Sequence, residues 1–515
     1  MLVPCPGKLD KMNRVTFVMG VSIATVFVLL LLLIRNDQPR TSADGTTSDE
    51  PIMLYCAASN RAVMESVRAD FEKELGQQLQ IQYGPSQTLL TSLQVSRTGD
   101  LFLPADDSYI DMAQEKELIE EVIPLARMEA VIAVKKGNPK QIRSYADLLR
   151  EDVRLVQASP DAAAVGKITR DVLSESGQWQ SLETATLAFR TTVTDVANDL
   201  VVGAADAGIV YDAVLHTYPQ LEAVRITELE PAVSKIMMAV TKSTRRPAAA
   251  LKFARFAAAR DRGLRHYEQY GFTTVDGEEW AEIPRLTLFA GSMLRPALDH
   301  TVTEFERREG VEVTRVYNGC GILVAQMQAG QKPDAYFACD SEFMEQVSEL
   351  FPTPIDVTEN ELVILVQKGN PHGISNLRDL TKEGLRVGIG HEKQCAMGWL
   401  TQNTLKEGGI QKEVMANVTV QTPTGDMLVN QLRAKSLDAA VAYLSNAAGS
   451  GEFLDAVRIE GIACAIATQP FAIARNSRYH QTMSRLFERI RSADSQESFL
   501  AEGFRWQLSD SSAAP

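Results

Sequence analysis

The chain has 515 residues, a formal net charge of −14 and a sequence pI of about 5.1. An apolar fraction of 45% with 23% charged residues is a globular composition on a chain too long for one core, which excludes a wholly disordered protein. The acidic balance argues against a nucleic-acid partner, and six cysteines with no CxxC pair exclude a disulfide scaffold and a zinc ribbon.

Residues 1–14 form a short N-terminal segment. Val15–Ile34 then reads VTFVMGVSIATVFVLLLLLI, twenty residues without a charge, the length of a bilayer-spanning helix. The run passes straight into Arg35-Asn36-Asp37 with no small-residue cleavage pattern, so an uncleaved anchor is expected rather than a removed leader. Lys8, Lys11 and Arg14 precede the span and Arg35 and Arg40 follow it, a margin that favours a cytoplasmic N-terminus and an extracytoplasmic remainder. Residues 35–51 are polar and aperiodic and read as a flexible tether.

Beyond the tether, short apolar runs alternate with amphipathic stretches. IMLYC from Ile52 predicts a strand. After Ser59 a stripe of Val63, Val67, Phe71 and Leu75 predicts a helix ended by Gly76. MEAVIAVKK, VRLVQA and AGIVY predict further strands. The same order then returns. KGNP at Lys136–Pro139 recurs at Lys368–Pro371, an offset of 232. Asp147-Leu148 recurs as Asp379-Leu380, and Gly271-Phe272 as Gly503-Phe504, in the same register. Gly76 matches Gly310 and Tyr83 matches Tyr317 at an offset of 234. One register held over two such long segments is a tandem duplication of a whole domain. The copies span residues 52–275 and 285–506, joined by a linker at 276–284, with a Ser- and Ala-rich tail at 507–515. Strands alternating with helices give an α/β fold with mainly parallel sheets.

Each copy puts four strand ends directly before helices, where free N–H groups and the helix dipole can receive an anion. In copy one these are at Ser59, Ser86, Val165-Gly166 and Asp195-Val196. In copy two they are at Ser292, Cys320, Met397-Gly398 and Asp426-Met427. Tyr211 and Tyr443 each end a later strand, where a phenol can donate one more hydrogen bond. Ser59, Ser86 and Ser292 could equally be N-caps, and the tyrosines core residues.

The succession CAASNRAVMESVRADFEKELG, YGPSQTLLTSL, KKGNP, AVGKIT, TTVTDV, AADAGIVYDA and YGF resembles the periplasmic molybdate-binding proteins. Copy two repeats it as FAGSML, YNGCGILVAQM, QKGNP, AMGWLT, TPTGDM, LDAAVAYLSNA and EGF. The resemblance covers nearly all of both copies. It implies two bilobed domains of the type II periplasmic-binding fold, each closing on a tetrahedral oxyanion, molybdate or tungstate, held without a counter-charge and presented to an ABC permease. It implies a ligand set of Ser59, Ser86, Tyr211 and the amides of Val165 and Val196 in copy one. In copy two the set is Ser292, Tyr443 and the amides of Met397 and Met427, with Cys320 where the second serine belongs. By the same resemblance Cys395 faces Cys320 from the opposite lobe, and three states are open: two free thiols, a disulfide tying the lobes, or a soft-ligand or metal site. The alternative to a receptor is a sensor or interaction module with degenerate clefts. No cofactor is expected, and no nucleophile–base pairing suggests an enzyme; His391 stands alone.

Overall fold

In the computed structural model of the chain, residues 50–508 are described. The expected span Val15–Ile34, the segment before it, nearly all of the tether and the end of the tail lie outside them. Among the described residues no helix is long and apolar enough to cross a membrane.

Copy one is built on ten paired strands. Eight run in the order Leu79–Gly84, Ile52–Ala57, Leu101–Leu103, Val233–Thr241, Ile119–Lys135, Ala207–Tyr211, Leu155–Ala158 and Thr186–Arg190. Leu221–Val224 and Thr273–Thr274 pair with the long strand Ile119–Lys135. That strand makes the domain bilobed. Its first part, to Glu129, pairs with Val233–Thr241, and from Ala130 onward it pairs with Ala207–Tyr211. The outer strands of each lobe are parallel, but every partner of the long strand is antiparallel to it. The expected mainly parallel sheets are therefore mixed. A strand that crosses from lobe to lobe needs neighbours that return the chain, and return strands run antiparallel.

Copy two repeats the order: Glu312–Asn318, Arg285–Gly291, Ala335–Phe337, Ile466–Ile473, Ile355–Gln367, Ala439–Tyr443, Val387–Gly390 and Val418–Thr422. Each copy has its own apolar core. The first helix shows how sequence pattern becomes packing. Val63, Met64, Val67 and Phe71 of Arg61–Leu75 are all buried, and Phe71 meets Phe253 and Phe256 edge-on. Gly76 ends the helix at φ 69°, as Gly310 ends Arg295–Glu309 at φ 70°.

The two copies meet through charge. Glu309, the last residue of its helix, is 1% exposed and lies between two arginines. Arg255 of copy one reaches its Oε1 at 2.9 Å and Arg485 of copy two reaches its Oε2 at 3.1 Å. Around this triad, Arg308 pairs with Glu120 and Glu121, Arg489 with Glu120, and Glu278 accepts from the backbone and hydroxyl of Thr482. Burial alone would raise the Glu309 carboxyl. The Arg485 and Arg255 charges outweigh it and hold the group below its ordinary range.

A buried carboxylate flanked by two buried cations cannot be deleted cheaply. Glu309→Ala is expected to destabilise the tandem unit by about 3 kcal/mol, read as a fall in the calorimetric unfolding midpoint. Replacing the triad together by Met and Leu should recover most of that loss. Because the carboxyl is held low, its contribution is present above the unfolded glutamate value and is lost as pH falls through the lowered folded value.

Candidate functional site

In copy one a cavity of about 20 Å³ lies between the lobes, room for one water or one compact ion. Four chain segments converge on it. Ala58 and Ser59 come from the 3-10 turn Ala58–Asn60, and Pro85 and Ser86 from the start of helix Ser86–Ser96. From the other lobe come Ala163, Ala164 and Val165 at the start of Ala164–Glu175, and Thr192 and Val193 at the start of Val193–Val202. Tyr211 closes the ring. The lobes are already in contact, since the Gln87 N–H donates to the Ala162 carbonyl at 3.3 Å.

The donors have different histories. Ser59 Oγ is buried and makes no hydrogen bond within the described residues. Ser86 is 2% exposed and its Oγ accepts the Ala105 N–H at 3.1 Å, which leaves its proton to donate. Neither Pro85 nor Ala163 caps its helix with a side chain, so the first-turn amides of both helices lack intrahelical partners. Val165 thus contributes from the second position of its helix. Val196 does not line the cavity. It lies one turn further in, its N–H directed at the Thr192 carbonyl at 3.4 Å, and its Cγ1 stands 2.5 Å from where a Cβ on Gly208 would be, on the sheet side. Thr192 and Val193 occupy the place expected of it.

Behind Tyr211 stands a chain of groups that periodicity does not signal. Its hydroxyl is 2.7 Å from Ser234 Oγ, which is 2.6 Å from the Asp106 carboxylate. Burial pushes the Asp106 carboxyl up, against the hydrogen bonds from Ser108 and Ser234 that lower it. Burial, then the Asp106 charge, holds the Tyr211 phenol far above its ordinary value, so it stays protonated.

Copy two places the same positions differently. Ser292 is the first residue of the turn Ser292–Leu294 and so corresponds to Ala58, while Met293 takes the place of Ser59; Met397 is the second residue of Ala396–Glu407, as Val165 is of its helix. Met427 is 45% exposed at the third position of Gly425–Arg433; Val196, the fourth residue of its helix, therefore corresponds to Leu428. Tyr443 is buried, but its hydroxyl makes no hydrogen bond within the described residues, and the strand register puts Ala467 where copy one has Ser234. Burial raises Asp340, the counterpart of Asp106, to about 6.

The cysteines also depart from expectation. Cys320 does not face Cys395 as a free thiol or bond to it. It forms a disulfide with Cys339 of its own lobe, with Cα atoms 6.4 Å apart. The strand Ala335–Phe337 lies beside Arg285–Gly291 and carries Cys339 to the start of the Cys320 helix, where its N–H meets Cys320 Sγ at 3.1 Å. Cys395 is a buried free thiol, and no cluster fit for a metal ion occurs among the described residues. A Cβ on Gly291 would stand 2.5 Å from Cys339 Sγ, and one on Gly425 2.2 Å from Asn446 Oδ1. Their counterparts, Ala57 and Val193, line the copy-one cavity.

The molybdate-binding protein ModA of Mycobacterium tuberculosis is 30% identical over 255 residues, 48% of this chain and 95% of that protein. ModA of Escherichia coli is 27% identical over 149 residues, 27% of this chain and 58% of that protein. Among solved structures, the substrate-binding domain of a molybdenum ABC transporter protein from Clostridium difficile aligns with a TM-score of 0.36 at 21% identity, over 44% of this chain and 99% of that one. The family model for bacterial extracellular solute-binding proteins matches twice, over residues 52–273 and 286–505. The chain belongs to that family and carries its domain in tandem.

Proposed function

We propose that this protein is a membrane-anchored extracytoplasmic receptor whose first copy closes on a tetrahedral oxyanion, molybdate or tungstate, and presents it to an ABC permease. The observation that carries the reading is the copy-one cavity, where Ser59 and Ser86 hydroxyls, Tyr211 and the first turns of opposing helices converge with no cation among the residues that line it. Such a site stabilises a dianion with fixed neutral dipoles, which suits a chain of net charge −14 that cannot attract anions at long range. The molybdate-binding relatives support the ion class. The uncharged run Val15–Ile34 supports the anchor, and the Cys320–Cys339 disulfide supports an oxidising compartment.

Titration of the full chain by calorimetry with molybdate, tungstate, sulfate and phosphate tests this. One tight site for molybdate or tungstate per chain is expected, with Ser86→Ala losing about 2 kcal/mol, a roughly 30-fold rise in Kd. No binding to any of the four would sink the receptor and favour an interaction module.

The chain behind Tyr211 adds a pH dependence. For the phenol to donate to an anion, Ser234 must donate to Tyr211, and then Asp106 must hold the proton that Ser234 accepts. The raised Asp106 carboxyl is therefore expected to take up a proton on binding, and affinity should rise as pH falls toward its range. Asp106→Asn, whose amide can donate permanently, should flatten the affinity–pH profile in the same titration.

A further inference from the structure

Three of the five described cysteines stand at positions that line the copy-one cavity. Cys320 begins its helix as Ser86 does. Cys339 lies two residues past its three-residue strand, as Ala105 does, and Cys395 is the N-cap of Ala396–Glu407, as Ala163 is of Ala164–Glu175. Even the hydrogen bond is kept: Ala105 N–H to Ser86 Oγ becomes Cys339 N–H to Cys320 Sγ, both at 3.1 Å. The first two cysteines come from one lobe and the third from the other. The segments that carry them touch. A Cβ on Gly319 would stand 2.3 Å from the Gln394 carbonyl, and one on Gly321 2.0 Å from that of Lys393 and 2.9 Å from Gln394 Cα. Cys320 sits between those glycines, and Cys395 follows Gln394.

We propose that the cleft of copy two is a thiol–disulfide exchange site in place of an anion site, in which the Cys395 thiolate displaces Cys339 from Cys320 and turns a bridge within one lobe into a bridge between the lobes. The Cys395–Cys320 bond forms as the Cys320–Cys339 bond breaks. Cys395 gives its proton to solvent, and the Cys339 thiolate released takes one up. One disulfide and one thiol are present before and after, so no oxidant or reductant is needed. Before exchange the lobes of copy two are joined by packing and the hinge strands; after it they are covalently closed. The free thiol is restrained at neutral pH, since burial pushes Cys395 up to about 11 although the Gly398 and Met397 amides favour its thiolate. Exchange should therefore quicken as pH rises. The disulfide and Asn446 crowd the places where copy one carries the side chains of Ala57 and Val193 at the rim of its cavity, and the exchange does not depend on the oxyanion reading of copy one.

The test is disulfide mapping of the full chain. Protein held at pH 9 with a trace of a small thiol is acid-quenched, alkylated and digested without reduction. Label on Cys339 and a Cys320–Cys395 linked peptide, both absent at the start, are expected. Label confined to Cys395 and the other free cysteines throughout would overturn the proposal. In a Cys339→Ser variant, oxidation should give the Cys320–Cys395 peptide as the only bridge, whereas two persisting free thiols in chains that keep the wild-type melting profile would also overturn it. Anion titration of copy one in the same samples reads the other hypothesis separately.

Discussion

The strand Ile119–Lys135 belongs to two lobes at once, and the cleft exists because of it. Its first part is held by Val233–Thr241 and its last by Ala207–Tyr211, so neither lobe can form without fixing one end of the other. The outer parallel strands of each lobe then end toward the gap, and the helices that follow them begin there. Four helix starts thus meet around one small cavity without any loop having to be long. Tyr211, the last residue of a strand paired directly to the shared one, is placed by the same backbone ladder.

That placement decides the chemistry. First-turn N–H groups, which have no intrahelical partner, carry partial positive charge that needs no side chain to deliver and cannot be lost to titration. Two hydroxyls and a phenol complete the set. Under the proposed function, such an arrangement would trade reach for selectivity, since fixed dipoles act at hydrogen-bond distance and would reward a ligand of the right shape over one that merely has the right sign.

Much of this was legible in the residues. The repeat register, the helix stripe ended by Gly76, and the convergence of Ser59, Ser86, Val165 and Tyr211 all follow from spacings in the chain. What was not legible had physical causes. TTVTDV and TPTGDM look aligned by their Asp, yet their helices start at Val193 and Gly425, which moves Met427 one place and out to the surface. Ser234 and Asp106 support Tyr211 from strand ends far away in sequence, where no periodicity marks them. The Cys320–Cys339 bridge depends on a three-residue strand whose pairing no local pattern announces. The mixed sheets were missed because strand–helix alternation reports connectivity, and the shared strand overrides it.

Glu309 occupies the helix-terminal position that Leu75 holds in copy one, and the contact it makes joins unlike faces of the two copies. For the history of the chain this works as a ratchet. Once an acidic residue at that position was enclosed by one arginine from each copy, either half encoded alone would be left with charge evolved for burial and no partner to meet it. Point substitutions can still change a cleft, and the two copies differ at Ser86 and Cys320, but losing a whole copy by deletion would strip the survivor of a packed face. A copy joined in this way would be kept for its packed face whatever its cleft binds.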